Sequence, residues 1–107
     1  MSQMTDELSA QEADKYIKDT KDLQLIDVRS APEFKQGYLK GATLIPVNTL
    51  PARVQDLDKA RPVLIYCASG GRSAMALQFL TDQGFNAKHI AGGITEWFEA
   101  GLPIVQG

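Results

Sequence analysis

The chain carries one cysteine, Cys67, and the residues after it suit a reactive thiol better than an inert one. Val63-Leu64-Ile65-Tyr66 is a short apolar run of the kind found at the centre of a parallel sheet. Ala68-Ser69-Gly70-Gly71 then forms a loop of small residues. Beyond Ser73, the spacing of Ala76, Leu77 and Leu80 predicts a helix with one buried face, which Gly84 stops. Cys67 is thereby expected at the carboxyl end of a strand, facing a helix amino terminus. Open α/β sheets place their ligand sites there.

The chemistry of such a position is nucleophilic. Thiolate is the reactive form, and a helix N-terminus or a nearby cation can draw a cysteine pKa from about 8.5 to roughly 3.5–7.5. Three sources of positive potential are expected to converge on Cys67: the free amides opening the helix, the amides of the loop, and the guanidinium of Arg72. Gly70 and Gly71 are expected to supply the backbone freedom for a loop that curls its amides inward. A cup of that kind holds an anion, whether a thiolate, a persulfide or a tetrahedral oxyanion.

A lone cysteine ending an apolar strand is ordinarily inert packing. Two glycines, an arginine and a helix start in immediate succession are not needed for packing, and they favour the reactive reading. Cys67 is the candidate nucleophile, with Ala68, Ser69, Gly70, Gly71, Arg72 and Ser73 as its substrate-binding cradle. The Ser69 and Ser73 hydroxyls are candidate extra donors, and Ser73 reads equally as a helix cap. Arg72 either binds an anionic donor or pairs with Asp27 or another carboxylate, and the two roles are compatible. Asp27 and Arg29 end an earlier strand on the same expected edge and read as supporting residues, structural before catalytic. Arg29 and Glu33 stand at i,i+4, the spacing of a pair across a turn. His89, the only histidine, falls in a strand remote in sequence from Cys67, and no Cys–His dyad is read from it. Trp97 and Phe98 read as core.

Cys67-Ala68-Ser69-Gly70-Gly71-Arg72 resembles the active-site loop of the rhodaneses, sulfurtransferases that carry sulfane sulfur as a cysteine persulfide. Leu25-Ile26-Asp27-Val28-Arg29-Ser30-Ala31-Pro32-Glu33-Phe34 resembles the upstream motif of that family. Ala91-Gly92-Gly93-Ile94-Thr95-Glu96-Trp97, closed by Gly101-Leu102-Pro103, resembles its C-terminal motif, whose glycines let a turn pass close to the active loop. The likeness runs from about Leu8 to Val105, with the three motifs in the family's order. The chain departs from it where Gly37-Tyr38-Leu39-Lys40-Gly41-Ala42 replaces the common Gly-His-Ile-Pro-Gly-Ala, placing Tyr38 at the usual histidine. It departs again where Leu44, instead of asparagine, precedes Ile45-Pro46. Both departures lie outside the cysteine loop.

The resemblance implies a three-layer α/β/α fold with a central, mainly parallel sheet of about five strands. It also implies a thiosulfate sulfurtransferase that needs no metal or organic cofactor. The donor would be a small sulfur anion such as thiosulfate, and the acceptor a thiol, a protein thiol or cyanide. Other readings use the same residues. A persulfide relay would keep Cys67, whereas a non-catalytic binding module of this fold often lacks the cysteine. Cysteine phosphatases and arsenate reductases place five residues between cysteine and arginine; here there are four, Ala68 to Gly71. The tighter cup suits one sulfur above Sγ better than a phosphoryl group.

A chain of 107 residues supports one domain, expected over residues 7–107 behind a flexible tail of residues 1–6. At that size about 65% of the unfolded surface is buried on folding, enough for a core without disulfides. One cysteine excludes an internal disulfide and most cysteine-based metal sites. Net charge −2 with interspersed signs gives no field for nucleic acid or anionic lipid. No apolar run approaches the roughly 20 residues of a membrane span, and residues 1–7 lack the basic and apolar regions of a secretory signal. The expectation is a cytoplasmic monomer, a setting in which a free thiol persists.

The rest of the chain alternates helices with short apolar runs, the pattern of a parallel sheet covered on both faces. Ser9 and Glu12 form a capping box before a helix over Ala10–Lys18, with Leu8 as a staple against Ala13. Leu23–Asp27 reads as a strand, and Ser30 with Glu33 predicts a second cap on a helix near Pro32–Gln36. Thr43–Ile45 is a brief strand stopped by Pro46. Asn48 is expected to cap a helix through about Asp56. Ala87–Ile90 is the last strand, and Ile94, Trp97 and Phe98 mark one face of a final helix ending before Gly101.

Overall fold

The computed structural model describes residues 6–106. Most of the expected tail, residues 1–5, lies outside the described residues, as does residue 107. The strands are β1 (Glu7–Leu8), β2 (Gln24–Asp27), β3 (Thr43–Leu44), β4 (Val63–Tyr66) and β5 (Ala87–Ile90). The helices are α1 (Ala10–Asp19), α2 (Ala31–Gln36), α3 (Leu50–Arg53), α4 (Gly71–Asp82) and α5 (Gly93–Glu99). Among the described residues the five strands pair in parallel, in the order β1-β5-β4-β2-β3, so β4 is central, and one isolated antiparallel bridge joins Tyr38 and Val105. Its Val63, Leu64 and Ile65 are fully buried, each worth about 1.5–3 kcal/mol of apolar burial.

Alternation along β4 divides the core into two layers. Val63, Ile65 and Cys67 pack with Ala76 and Leu80 of α4 and Leu50 of α3. Leu64 and Tyr66 pack with Ala10 and Ala13 of α1 and with Ile94 and Trp97 of α5. This is the expected α/β/α sandwich with a five-stranded parallel sheet. The period of two in the strand sends the Cys67 side chain toward α4.

Both predicted capping boxes form. Ser9 Oγ accepts from the Glu12 amide at 3.1 Å while Glu12 Oε1 accepts from the Ser9 amide at 2.8 Å. Ser30 and Glu33 do the same for α2. Asn48 does not cap a helix. It lies inside a 3-10 turn, Val47–Thr49, that leads directly into the one-turn α3, and a second 3-10 turn, Val54–Asp56, follows. Pro51 falls in the first turn of α3, where a missing amide costs no helical hydrogen bond. The Thr49 and Leu50 amides close i,i+3 bonds on the Pro46 and Val47 carbonyls, which makes the entry a 3-10 turn. Phe98 also differs from expectation. It is 70% exposed, because the buried face of α5 is Gly93, Ile94 and Trp97. No strand is expected before α1 from the sequence, yet Glu7 and Leu8 stand in register with His89 and Ile90, and the Asp6 carbonyl accepts the His89 amide at 2.8 Å. Two residues are too short for a period to register, so that strand exists through its partner alone.

Among the described residues, no helix is long and apolar enough to cross a membrane.

Candidate active site

The strands β2 and β4 end level with each other, Asp27 opposite Tyr66, so the loops after them share one edge of the sheet. Cys67 is the first residue past β4, and α4 starts at Gly71, with Gly70 as its N-cap. The turn between is closed by a left-handed Gly70, φ 112°. A Cβ on Gly70 would collide with the Ala91 carbonyl oxygen. Gly70 therefore has both a conformational and a steric reason to be glycine. Gly71 has neither, since its backbone is helical and a methyl group there would meet nothing within 4 Å. Of the two glycines expected to shape the loop, only the first is required by its geometry.

The loop turns its amides onto sulfur. Cys67 is 1% exposed, and its Sγ accepts from the Gly70 amide at 3.1 Å and the Ser73 amide at 3.3 Å. The thiol in turn contacts Ser73 Oγ at 3.5 Å. Burial pushes the thiol up, but hydrogen bonds from the Ser73 hydroxyl and the amides of Ser73, Gly70 and Ser69 outweigh it. The net effect holds Cys67 below its ordinary value. Ser69 contributes through its backbone, and its side chain is exposed.

Ser73 is not a helix cap. It is the third residue of α4, fully buried, and its hydroxyl lies 3.2 Å from the Gly70 carbonyl and 2.8 Å from His89 Nδ1. Distance along the chain hides His89 from a reading of the sequence around Cys67. The available signal is its place in Ala87-Lys88-His89-Ile90: it shares the parity of Ala87, whose side faces α4, and is a polar residue on a buried face.

Arg72 pairs with Glu33, with Nη1 to Oε1 at 2.8 Å and Nη2 to Oε2 at 2.9 Å. Arg29 is thus not the partner of Glu33. Its Nε and Nη2 grip Asp27 at 2.7–3.1 Å, and Nη2 also donates to the Gly37 carbonyl at 2.6 Å. The i,i+4 geometry fails because Arg29 lies before the start of α2, and its side chain turns back to β2. Asp27, fully buried, also accepts the Arg29 amide at 2.9 Å. Burial and the Asp27 charge push the Tyr66 phenol well above its ordinary value, so its hydroxyl stays a donor, while its oxygen accepts the Leu39 amide at 3.1 Å. Asp27 and Arg29 thereby brace the shared edge from below. Tyr38, at the departure from the family pattern, stacks on Phe34 with ring centroids 4.1 Å apart.

The turn into α5 reaches the cysteine loop from the other side. Ile94 and Thr95 amides donate to the Cys67 and Ala68 carbonyls at 2.9 and 3.1 Å. Gly93, at φ 65°, has the Ala68 carbonyl where a Cβ would be. A groove of about 440 Å³ next to the loop carries Arg72, Arg29, Ser30, Asn48 and Thr49 on its walls.

The three motifs thus meet at one edge around a thiol under an amide cup. A rhodanese-like domain model matches residues 9–100. The chain belongs to the rhodanese-like family. Its relatives include a sulfurtransferase of Allochromatium vinosum, 37% identical over 103 residues, which span 95% of this chain and 96% of that protein. Among solved structures, a rhodanese-related protein from Thermoplasma volcanium superposes with a TM-score of 0.88 at 30% identity, covering 96% of this chain and 100% of that one. A thiosulfate sulfurtransferase from Pseudomonas aeruginosa gives a TM-score of 0.84 at 25% identity over 96% of this chain and 20% of its own. A sulfurtransferase-type activity follows for this rhodanese-like domain.

Proposed function

We propose that the chain moves sulfane sulfur by double displacement through Cys67. The observation that carries this reading is the amide cup: two N–H groups and a hydroxyl are already gathered around Sγ. The Cys67 thiolate attacks the outer sulfur of an anionic donor such as thiosulfate. The S–S bond of the donor breaks, its electron pair leaves with sulfite, and Cys67 becomes a persulfide anion. An acceptor thiolate, or cyanide in an assay, then takes the terminal sulfur and returns Cys67 to the thiolate. This is covalent catalysis with ping-pong kinetics, and fixed amides stabilise each sulfur anion as an oxyanion hole stabilises oxygen.

Two further features support an anionic donor. The helix amides of Gly71 and Arg72 have no intrahelical acceptor by their position in the first turn. The Arg72 guanidinium lies on the adjoining groove wall, half-exposed even while paired. The test is the intact mass of the protein after brief incubation with thiosulfate, beside Cys67→Ser, with p-nitrophenyl phosphate turnover in parallel. One added sulfur, lost on adding cyanide and absent from the variant, is the expected result. Cys67-dependent phosphate release without added sulfur would overturn it in favour of a phosphatase. Absence of both signals would point to a protein donor or to docking.

A further inference from the structure

Behind the Cys67 thiol stands a continuous polar line that the cup does not explain. Cys67 Sγ is 3.5 Å from Ser73 Oγ, Ser73 Oγ is 2.8 Å from His89 Nδ1, and His89 Nε2 is 3.4 Å from Glu7 Oε2. The four groups come from the end of β4, the first turn of α4, β5 and β1. His89 is 2% exposed, whereas the Glu7 carboxylate reaches solvent with 65% of its side chain exposed. A buried imidazole is not needed to fill this slot. An apolar side chain there would fill the same space without the cost of burying ring nitrogens.

Hydrogen bookkeeping shows what the line can do. Ser73 has one hydroxyl proton. With Cys67 as thiol, S–H donates to Oγ, the hydroxyl donates to Nδ1, and Nε2–H donates to Glu7. With Cys67 as thiolate, the hydroxyl can turn its proton to sulfur, away from Nδ1 and from the Gly70 carbonyl 3.2 Å away, and Oγ is then open to a donor on its far side. Nδ1–H supplies one only if the ring has taken a second proton, because Nε2–H still faces Glu7. Both end states leave every group of the line satisfied. They differ by one proton moved from Sγ to Nδ1, the S–H and hydroxyl O–H bonds breaking as new O–H and N–H bonds form.

We propose that His89 takes up the Cys67 proton through the Ser73 hydroxyl, with Glu7 holding the resulting imidazolium. His89 is a positioning residue for the thiolate, and this role rests on the reading of Cys67 as nucleophile. Among the described residues, the titratable groups hydrogen-bonded to the ring or to its Ser73 partner are Glu7 from β1 and Cys67 from β4. The neighbouring Lys88 reaches across the opposite face of the sheet to the Tyr16 ring of α1. The thiolate therefore gains a cation close at hand, in addition to its amide donors, from a part of the chain outside all three motifs.

The test needs no sulfur donor, so its outcome is separate from that of the transfer reaction. Iodoacetamide alkylation of Cys67 is followed against pH for the full chain, His89→Gln, Ser73→Ala and Glu7→Gln, with thermal melts as the control for folding. The expected result is an alkylation midpoint about one pH unit higher in His89→Gln, at the low end of the effect of a neighbouring charge. Ser73→Ala should shift at least as far, and Glu7→Gln less far in the same direction. A folded His89→Gln that titrates like wild type overturns the proposal. Should His89→Gln not fold, nitrogen NMR of the ring decides. The chain has one histidine, so its signals are unambiguous. At a pH where Cys67 is thiolate, the ring is expected to carry two protons in wild type and one in Cys67→Ser. The same ring state in both proteins overturns the relay.

Discussion

Glu33 serves two structures at once. Its carboxylate closes the capping box of α2, accepting from the Ser30 amide at 3.0 Å, and grips Arg72 of the cysteine loop at 2.8 and 2.9 Å. The first contact is three residues long and the second spans 39. One side chain therefore ties the upstream motif to the cysteine loop and sets where the guanidinium points.

The pair has a pH signature. Arg72, then Ser30, hold the Glu33 carboxyl far below the usual carboxylate range. A depressed folded pKa contributes stability above the unfolded value, and that stability is lost as pH falls below it. Both partners are over a third exposed, so solvent screening limits the contribution to about 1 kcal/mol or less. Thermal melts of wild type and Glu33→Gln should differ at neutral pH and converge as pH falls below about 4, the unfolded carboxyl value. A constant gap down to low pH would show that the charge is immaterial.

Arg72→Ala is expected to weaken an anionic donor more than the chemistry, raising KM for thiosulfate about tenfold, on the order of one charge-assisted hydrogen bond. Steady-state kinetics over donor concentration separate the parameters. An unchanged KM would confine Arg72 to its structural pairing with Glu33.

The two loop glycines should respond differently to the same added methyl group. Gly70→Ala forces a Cβ into the Ala91 carbonyl at a left-handed φ of 112°, costing about 1–3 kcal/mol and opening the amide cup. Gly71→Ala meets open space in a helical backbone and should be neutral or stabilising by about 0.4–1 kcal/mol. Denaturant melts with persulfide yield measured on each variant check both. Equal damage from the two would mean that the loop amides, and not the left-handed turn, set the requirement.

Asp27→Ala removes the carboxylate that grips Arg29, whose side chain is 7% exposed. Leaving a buried guanidinium unpaired typically costs about 3–5 kcal/mol. Urea unfolding should show a loss of that size, well beyond that of Glu33→Gln. A loss under about 1 kcal/mol would mean that Arg29 finds water or another acceptor.

What the sequence determined by itself was local. Both capping boxes were legible because each is an i,i+3 exchange between a side chain and a backbone amide. The strand–loop–helix around Cys67 was legible because the apolar run from Val63 to Tyr66, the glycines of the loop and the apolar spacing in α4 are written within a few residues of one another. The order of the sheet decided the rest. Glu33 rather than Asp27 meets Arg72, Ser73 faces His89 instead of capping α4, and Glu7 lies 82 residues from the ring it touches. These partners depend on β5 lying between β4 and β1, and on the α4 face being the one that receives Cys67. Phe98 shows the same limit from the other direction. Its helical spacing matches a buried face, yet the rotation of α5 about its axis turns it to solvent. That rotation is set by Gly93 packing on Ala68 and by Trp97 donating to the Pro103 carbonyl at 2.8 Å. Short-range hydrogen bonds and periodicity are properties of a segment. Which buried polar groups share a proton is a property of the packed whole.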